Sequence, residues 1–169
     1  MNLNKKQVGA LLKVISKDDS RPVLTTAKVD KWGDDVVLVA TNGYILAALY
    51  LDSEEAGELV GKLVRRSAIE KWYKLATGKD RLTTEELVRV SSEDYGENGG
   101  YADYGYPDWT KVIPSGEMES TSLAFDAEYA KALQDLDGAE GLNYTLNGIL
   151  GAMVARNDRG TYVLMPRKK

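Results

Sequence analysis

At 169 residues the chain is long enough to bury a core as one domain, or as one and a half. Its 22 Lys and Arg against 26 Asp and Glu leave a net charge of −4, which argues against a surface coated in positive charge yet permits local basic patches. The absence of cysteine and histidine excludes disulfides, thiolate metal sites, thiol nucleophiles and every His-relayed mechanism.

The first predicted element is an amphipathic helix over residues 4–17. Val8, Leu11, Leu12 and Ile15 recur at helical spacing, Lys5, Lys6, Lys13 and Lys17 face away from them, and Asn4 is placed to cap the start. This N-terminal segment has an apolar stripe but no long apolar run. It predicts neither a signal peptide nor a membrane span, and a soluble, cytoplasmic protein is expected. Three strand signals follow in "PVLTTAKVD", "DVVLVAT" and "YILAALYL", separated by turn signals at "KWGDD" and "TNGY". The first unit therefore reads as a helix and an antiparallel meander.

The pattern recurs. "ELVGKLVRR" predicts a strand, and "SAIEKWYKLATG" a helix with Ser67 as N-cap, Glu70 completing a capping box and Gly78 as the stop. "EELVRVSS" predicts another strand, after which residues 93–105 are too dense in Gly, Asp and Asn for regular structure and read as a loop. The third pass predicts strand "SLAFD", helix "AEYAKALQDL" capped by Asp126, and strands "LNYTLN", "GAMVARND" and "GTYVLMP". Units that begin about 55–60 residues apart suggest repeated supersecondary structure. The expected fold class is α+β, with helices on one side of antiparallel sheets.

Catalytic signals are missing. "GENGGYADYG" lacks the Lys-Ser/Thr ending of a phosphate loop, and the paired acids of "KDDS" and "WGDD" sit at turns, where Asp is favoured for local hydrogen bonding. No cofactor, metal or enzyme activity is expected. Charge is more informative. Residues 1–17 hold four lysines and no acid, and residues 62–81 carry Lys62, Arg65, Arg66, Lys71, Lys74, Lys79 and Arg81 against Glu70 and Asp80. Such helical segments are either ordinary solvated faces or a surface for phosphates. Lys5, Lys6, Lys13, Arg65, Arg66, Lys71 and Lys74 are the candidate contacts to duplex DNA. Nothing in their pattern suggests base stacking, so such contact would be independent of sequence.

Three motifs in order carry a family resemblance. "ATNGYILA" (40–47) resembles the Ala-Thr-Asp-Gly-His-Arg-Leu-Ala segment of the bacterial DNA polymerase III beta sliding clamp. "YPDWTKVIP" (106–114) resembles that family's Phe-Pro-Asp-Tyr-Arg-Arg-Val-Leu-Pro joint, and "VLMPRKK" (163–169) its C-terminal Val-Met-Pro-Met-Arg-Leu. Singly these are a hairpin turn, a proline turn and an edge strand. Together they imply a DNA-clamp-like fold. Residues 1–114 then correspond to the clamp's middle domain with its second half abbreviated, and residues 115–169 to the C-terminal half of the last domain.

The resemblance also implies a function, that of a processivity factor in DNA replication. It would be a compact, bacteriophage-type clamp that encircles duplex DNA as a homo-oligomeric ring. Three half-units per chain imply a tetramer. In the family the three motifs wall a hydrophobic pocket for a short linear motif carried by polymerase and clamp loader. Carried over position by position, the pocket residues are Thr41, Gly43, Tyr44, Ile45 and Leu46; Pro107, Lys111 and Val112; and Val163, Met165, Pro166 and Arg167. Tyr44 and Ile45 replace the family's His-Arg, and Lys111 its second joint Arg, so an apolar pocket with an altered rim is expected. The competing reading is a non-encircling interaction module that keeps the pocket and competes for or recruits clamp-binding proteins.

Overall fold

The computed structural model describes residues 1–94, 105–113, 125–138, 141–147 and 151–166. Strand β1 (Asn2–Asn4) runs directly into helix α1 (Lys5–Val14). Asn4 caps it as expected. Its side chain accepts the Gln7 N–H while the Gln7 side chain accepts the Asn4 N–H, both at 3.0 Å, so two orphan donors are satisfied reciprocally. The helix ends before Lys17, because Ile15 is extended and the Ser16 N–H turns to the Leu24 carbonyl. Pro22–Thr25 form a 3₁₀ turn rather than the start of a strand, with the Thr25 and Thr26 hydroxyls folded back onto the Pro22 and Val23 carbonyls. The meander then follows as β2 (Thr26–Trp32), β3 (Asp35–Thr41) and β4 (Ile45–Tyr50).

The second unit departs from the sequence reading. Only the end of "ELVGKLVRR" is a strand, β5 (Leu63–Arg65). It is preceded by the short helix α2 (Ser53–Ala56) and a 3₁₀ turn over Gly57–Leu59. Helix α3 spans Arg66–Leu75 with Arg65, not Ser67, at the N-cap position, and it stops before Gly78. Glu70 completes no capping box and pairs instead with the Arg66 guanidinium at 2.8 Å. After strand β6 (Arg81–Thr83), "EELVRVSS" is helix α4 (Thr84–Asp94) and not a strand. Thr84, Leu87, Val90 and Ser91 are the buried positions, and their spacing of three and four is helical. The Thr83 hydroxyl accepts the Glu86 N–H at 3.1 Å, and Glu85 and Glu86 place negative charge in the first turn.

The third unit contains helix α5 (Ala127–Asp137) and strands β7 (Thr145–Asn147), β8 (Ala152–Asn157) and β9 (Gly160–Leu164). Asp126 is its cap, accepting the Glu128 N–H at 2.9 Å. Of the expected strand "SLAFD", residues 122–124 lie outside the described residues, and Phe125 and Asp126 are not in a strand. Most of the 93–105 loop also lies outside them.

All strand pairs are antiparallel, in a seven-stranded sheet ordered β5-β2-β3-β4-β9-β8-β7 and a two-stranded sheet β1-β6. The first and third units join through β4 and β9, which pair from Ile45↔Leu164 to Leu49↔Gly160. On one face of the large sheet the helices bury a core that includes Val8, Leu11, Leu38, Ile69, Leu133 and Tyr162. On the other face Val37, Val39, Leu46, Ala48, Val154 and Val163 are covered by Trp109 and its neighbours. Burial on both sides explains the unbroken apolar run of β3. The α+β class with helices on one side is therefore observed.

Candidate functional site

A small cavity of about 200 Å³ opens at the end of the β3–β4 hairpin, and three separate segments wall it. The hairpin supplies Thr41, Gly43, Ile45 and Leu46. Gly43 turns with φ of 90°, a conformation that side chains with a Cβ disfavour. The polar groups of this turn are consumed internally. The Thr41 hydroxyl donates to the Ile45 carbonyl at 2.8 Å and accepts the Gly43 N–H at 3.1 Å, while the Asn42 carboxamide accepts the N–H groups of Tyr44 and Ile45. Carbon is left facing the cavity.

The joint supplies Pro107, Trp109 and Val112, the last two from a 3₁₀ turn over Trp109–Val112. It is fastened to the outer face of the sheet at two points. The Tyr106 hydroxyl donates to the Val39 carbonyl at 3.1 Å, and burial pushes that phenol's pKa above its ordinary range. The Trp109 indole N–H donates to the Asp30 carboxylate at 3.0 Å, and the ring meets Trp32 edge-on with centroids 5.3 Å apart. The third wall is Val163 of β9 with Met165 just beyond it, whose N–H donates to the Tyr44 carbonyl at 3.0 Å. Leu24 of the first 3₁₀ turn completes the lining.

Eight positions taken from the sequence thus converge: Thr41, Gly43, Ile45, Leu46, Pro107, Val112, Val163 and Met165. Three others do not line the cavity. Tyr44 points outward, 61 % exposed, and stacks on Tyr129 at 5.7 Å over a separate groove beside Lys13, Lys17 and Arg21. Lys111 is exposed and pairs with Asp108 at 3.0 Å. Pro166 is half-buried away from the cavity, and Arg167 lies outside the described residues. Leu24 and Trp109 were missed. The signal for Trp109 was its place in the joint. Leu24 carries none, since the run that contains it has a strand pattern and folds as a 3₁₀ turn.

The basic candidates divide into engaged and exposed groups. Arg66 is only 12 % exposed in its side chain; besides Glu70, its guanidinium donates to the Leu12 and Ile15 carbonyls and so clips the end of α1 to α3. That geometry turns Arg66 away from solvent. Lys5 donates to the Ala76 carbonyl at 2.6 Å and lies over the Tyr73 ring, and Lys6 pairs with Asp135 at 2.9 Å. Arg65 is half-buried, whereas Lys13, Lys71 and Lys74 are exposed on the helical layer. Asp135 accepts from both Lys6 and Lys131, which holds its carboxyl below the usual carboxylate range. Among the described residues no group of three or more acidic side chains could hold a metal ion, and no helix is long and apolar enough to cross a membrane.

No family model and no curated protein matches the chain. Solved structures do. The chain is similar to DNA polymerase III subunit beta from Borrelia burgdorferi, with a TM-score of 0.57 and 12% identity over 99% of this chain and 64% of that one. It is similar to the same subunit from Pseudomonas aeruginosa, with a TM-score of 0.55 and 17% identity over 100% of this chain and 66% of that one. The sliding clamp from Bartonella birtlesii bound to griselimycin gives a TM-score of 0.53 and 16% identity over 100% and 66%. The chain has the fold of these sliding clamps and spans just under two thirds of their length.

Proposed function

We propose that the chain is a compact sliding clamp without catalytic activity, whose cavity holds the apolar end of a short linear motif carried by a DNA polymerase or clamp loader. The observation that carries this reading is the convergence of hairpin, joint and C-terminal strand on one apolar cavity. Sites that swallow a whole small ligand measure about 300–1,000 Å³, so a cavity of about 200 Å³ suits an anchor side chain, with the rest of the peptide lying across the rim. Burying one Leu or Phe is worth roughly 1.5–3 kcal/mol, so two or three anchors place affinity on the micromolar scale. Calorimetric titration of an extended peptide with a leading Gln and trailing Leu or Phe tests this. Met165→Asp is expected to abolish binding without unfolding the sheets, because it sets an unpaired charge in the groove. Equal affinity for both proteins would place the peptide elsewhere.

In this reading the helical layer faces duplex DNA within a homo-tetrameric ring. A second reading, the non-encircling interaction module, is favoured by one feature. Units one and three join through meander strands β4 and β9, whereas in the second unit helix α4 follows β6, where a meander would otherwise offer such a strand. Light scattering separates the two: a tetrameric mass supports the ring, and a monomer supports the module.

A further inference from the structure

The joint makes its wall of the cavity only if Trp109 keeps one orientation, and the residue that fixes this orientation lies outside the cavity. Trp109 is 2 % exposed, packed among Val37, Val39, Ala48 and Val163 on the outer face of the sheet. Packing and the edge-on Trp32 ring restrict the indole, but among the described residues no other hydrogen bond of its N–H would tell one flip of the ring from another. Its N–H is the one polar handle, and it donates at 3.0 Å to Oδ2 of Asp30, a residue 79 positions earlier in the chain. The carboxylate is itself held in place. Oδ2 also accepts from the Lys28 ammonium at 2.8 Å, and Oδ1 accepts the Lys31 N–H at 3.0 Å. Both oxygens are therefore committed, and the acceptor is presented to the indole in a fixed direction. Burial raises the pKa of Asp30, but the hydrogen bonds from Lys28 and Trp109 outweigh it and hold the carboxyl below the usual range. Asp30 stays ionised at neutral pH.

We propose that Asp30 is a positioning residue for the peptide cavity, acting through Trp109 to hold the Pro107–Val112 wall at the spacing that an apolar side chain needs. The inference rests on the peptide-docking reading above. Asp30 does not line the cavity, so its influence on a peptide there runs through the joint. Removing it takes away the fixed acceptor: the indole N–H is left to mobile water entering where the half-buried carboxylate stood, its direction is no longer set, and the wall is no longer held at one spacing.

The test uses the same Gln…Leu-Phe peptide with the full chain and the variants Asp30→Ala, Asp30→Asn, Trp109→Phe and the double variant Asp30→Ala/Trp109→Phe. Affinity is measured well below the thermal midpoint of each, so that a general loss of stability does not enter the reading. Losing the fixed acceptor is expected to weaken the peptide by about tenfold in Asp30→Ala, and Trp109→Phe should lose at least as much, since it also removes lining from the cavity. The double variant is expected to be no worse than Trp109→Phe alone, because Asp30 acts only through the indole N–H that Trp109→Phe already lacks. Asp30→Asn keeps an acceptor and should recover most of the affinity. The indole N–H resonance of Trp109 gives a reading without peptide: slow exchange with water in the wild type, and fast exchange in Asp30→Ala. Unchanged peptide affinity in Asp30→Ala, or additive losses in the double variant, would overturn this inference alone. Failure of the wild type to bind any such peptide would overturn the docking reading along with it.

Discussion

At Gly160 the backbone of β9 passes so close to β4 that an added Cβ would lie 2.4 Å from the Ala48 carbonyl oxygen. No real Cβ contact is that short, and the neighbouring atom is backbone that cannot rotate away. Gly160 is the first residue of β9, opposite Leu49 on one side and Asn157 on the other, so the close approach sits where the first and third units meet. Gly160→Ala must push the two strands apart. Overpacking of this kind costs about 1–3 kcal/mol, to be read as a lower urea midpoint with little change in slope. Val163 and Met165 lie further along the same strand direction, so peptide affinity should fall with it. A variant as stable as the wild type would mean that β9 does not lie against β4 in this register. Arg66 shows the complementary case, a charged side chain whose work is internal: it satisfies the last carbonyls of α1, which no residue of α1 itself can reach.

The element that most changes the sequence reading is α4. Leu87 is fully buried on its inner face, against the same core as Ile69 and Trp72 of α3. Leu87→Ala is therefore expected to cost about 2–5 kcal/mol, measured by chemical denaturation, whereas the exposed Glu85→Ala should cost little. A small loss at Leu87 would sink the placement of α4 in the core. The run "EELVRVSS" reads as a strand because Val88 and Val90 are β-branched and the apolar stretch is short, and a stretch of that length fits either period. The helical period was present, but two of its buried positions, Thr84 and Ser91, are polar and invisible to a hydrophobic pattern. The meander of the first unit was legible for the opposite reason, since its strands are long, strongly apolar and separated by Gly-containing turns. Asn4 and Asp126 were legible as caps. Ser67 is not a cap, because β5 runs through Arg65 and the chain enters α3 two residues earlier than a Ser67 cap would place it. In the cavity, motif order located the three walls but could not orient side chains within them. Thr41, Gly43 and Ile45 face inward, while Asn42 and Tyr44 between them face the neighbouring groove.

At the scale of the whole molecule, the charge pattern makes contact between the helical layer and DNA measurable. The net charge of −4 opposes general attraction to phosphates, so binding must come from a local field. Lys5 and Arg66 are half-buried and serve carbonyls of the fold, and Lys6 is exposed but pairs with Asp135, so Lys13, Lys71 and Lys74 are the exposed lysines chosen from the candidate set for test. About three phosphate contacts per copy predict a slope of log affinity against log salt of roughly −3 for a single chain on duplex DNA, and about four times that for a closed tetramer. A single copy would thus be lost from DNA at modest salt, whereas a ring would be held by topology as well as by charge. Retention on a nicked circular plasmid, compared with the same plasmid linearised, separates these cases, because an encircling ring slides off only the linear form. Lys71→Glu with Lys74→Glu is expected to lower retention on the circle and flatten the salt slope while leaving the peptide cavity, on the other face of the sheet, at wild-type affinity. Equal retention on circular and linear DNA would remove the ring, and unchanged retention in the doubly reversed variant would remove α3 from the DNA-facing surface.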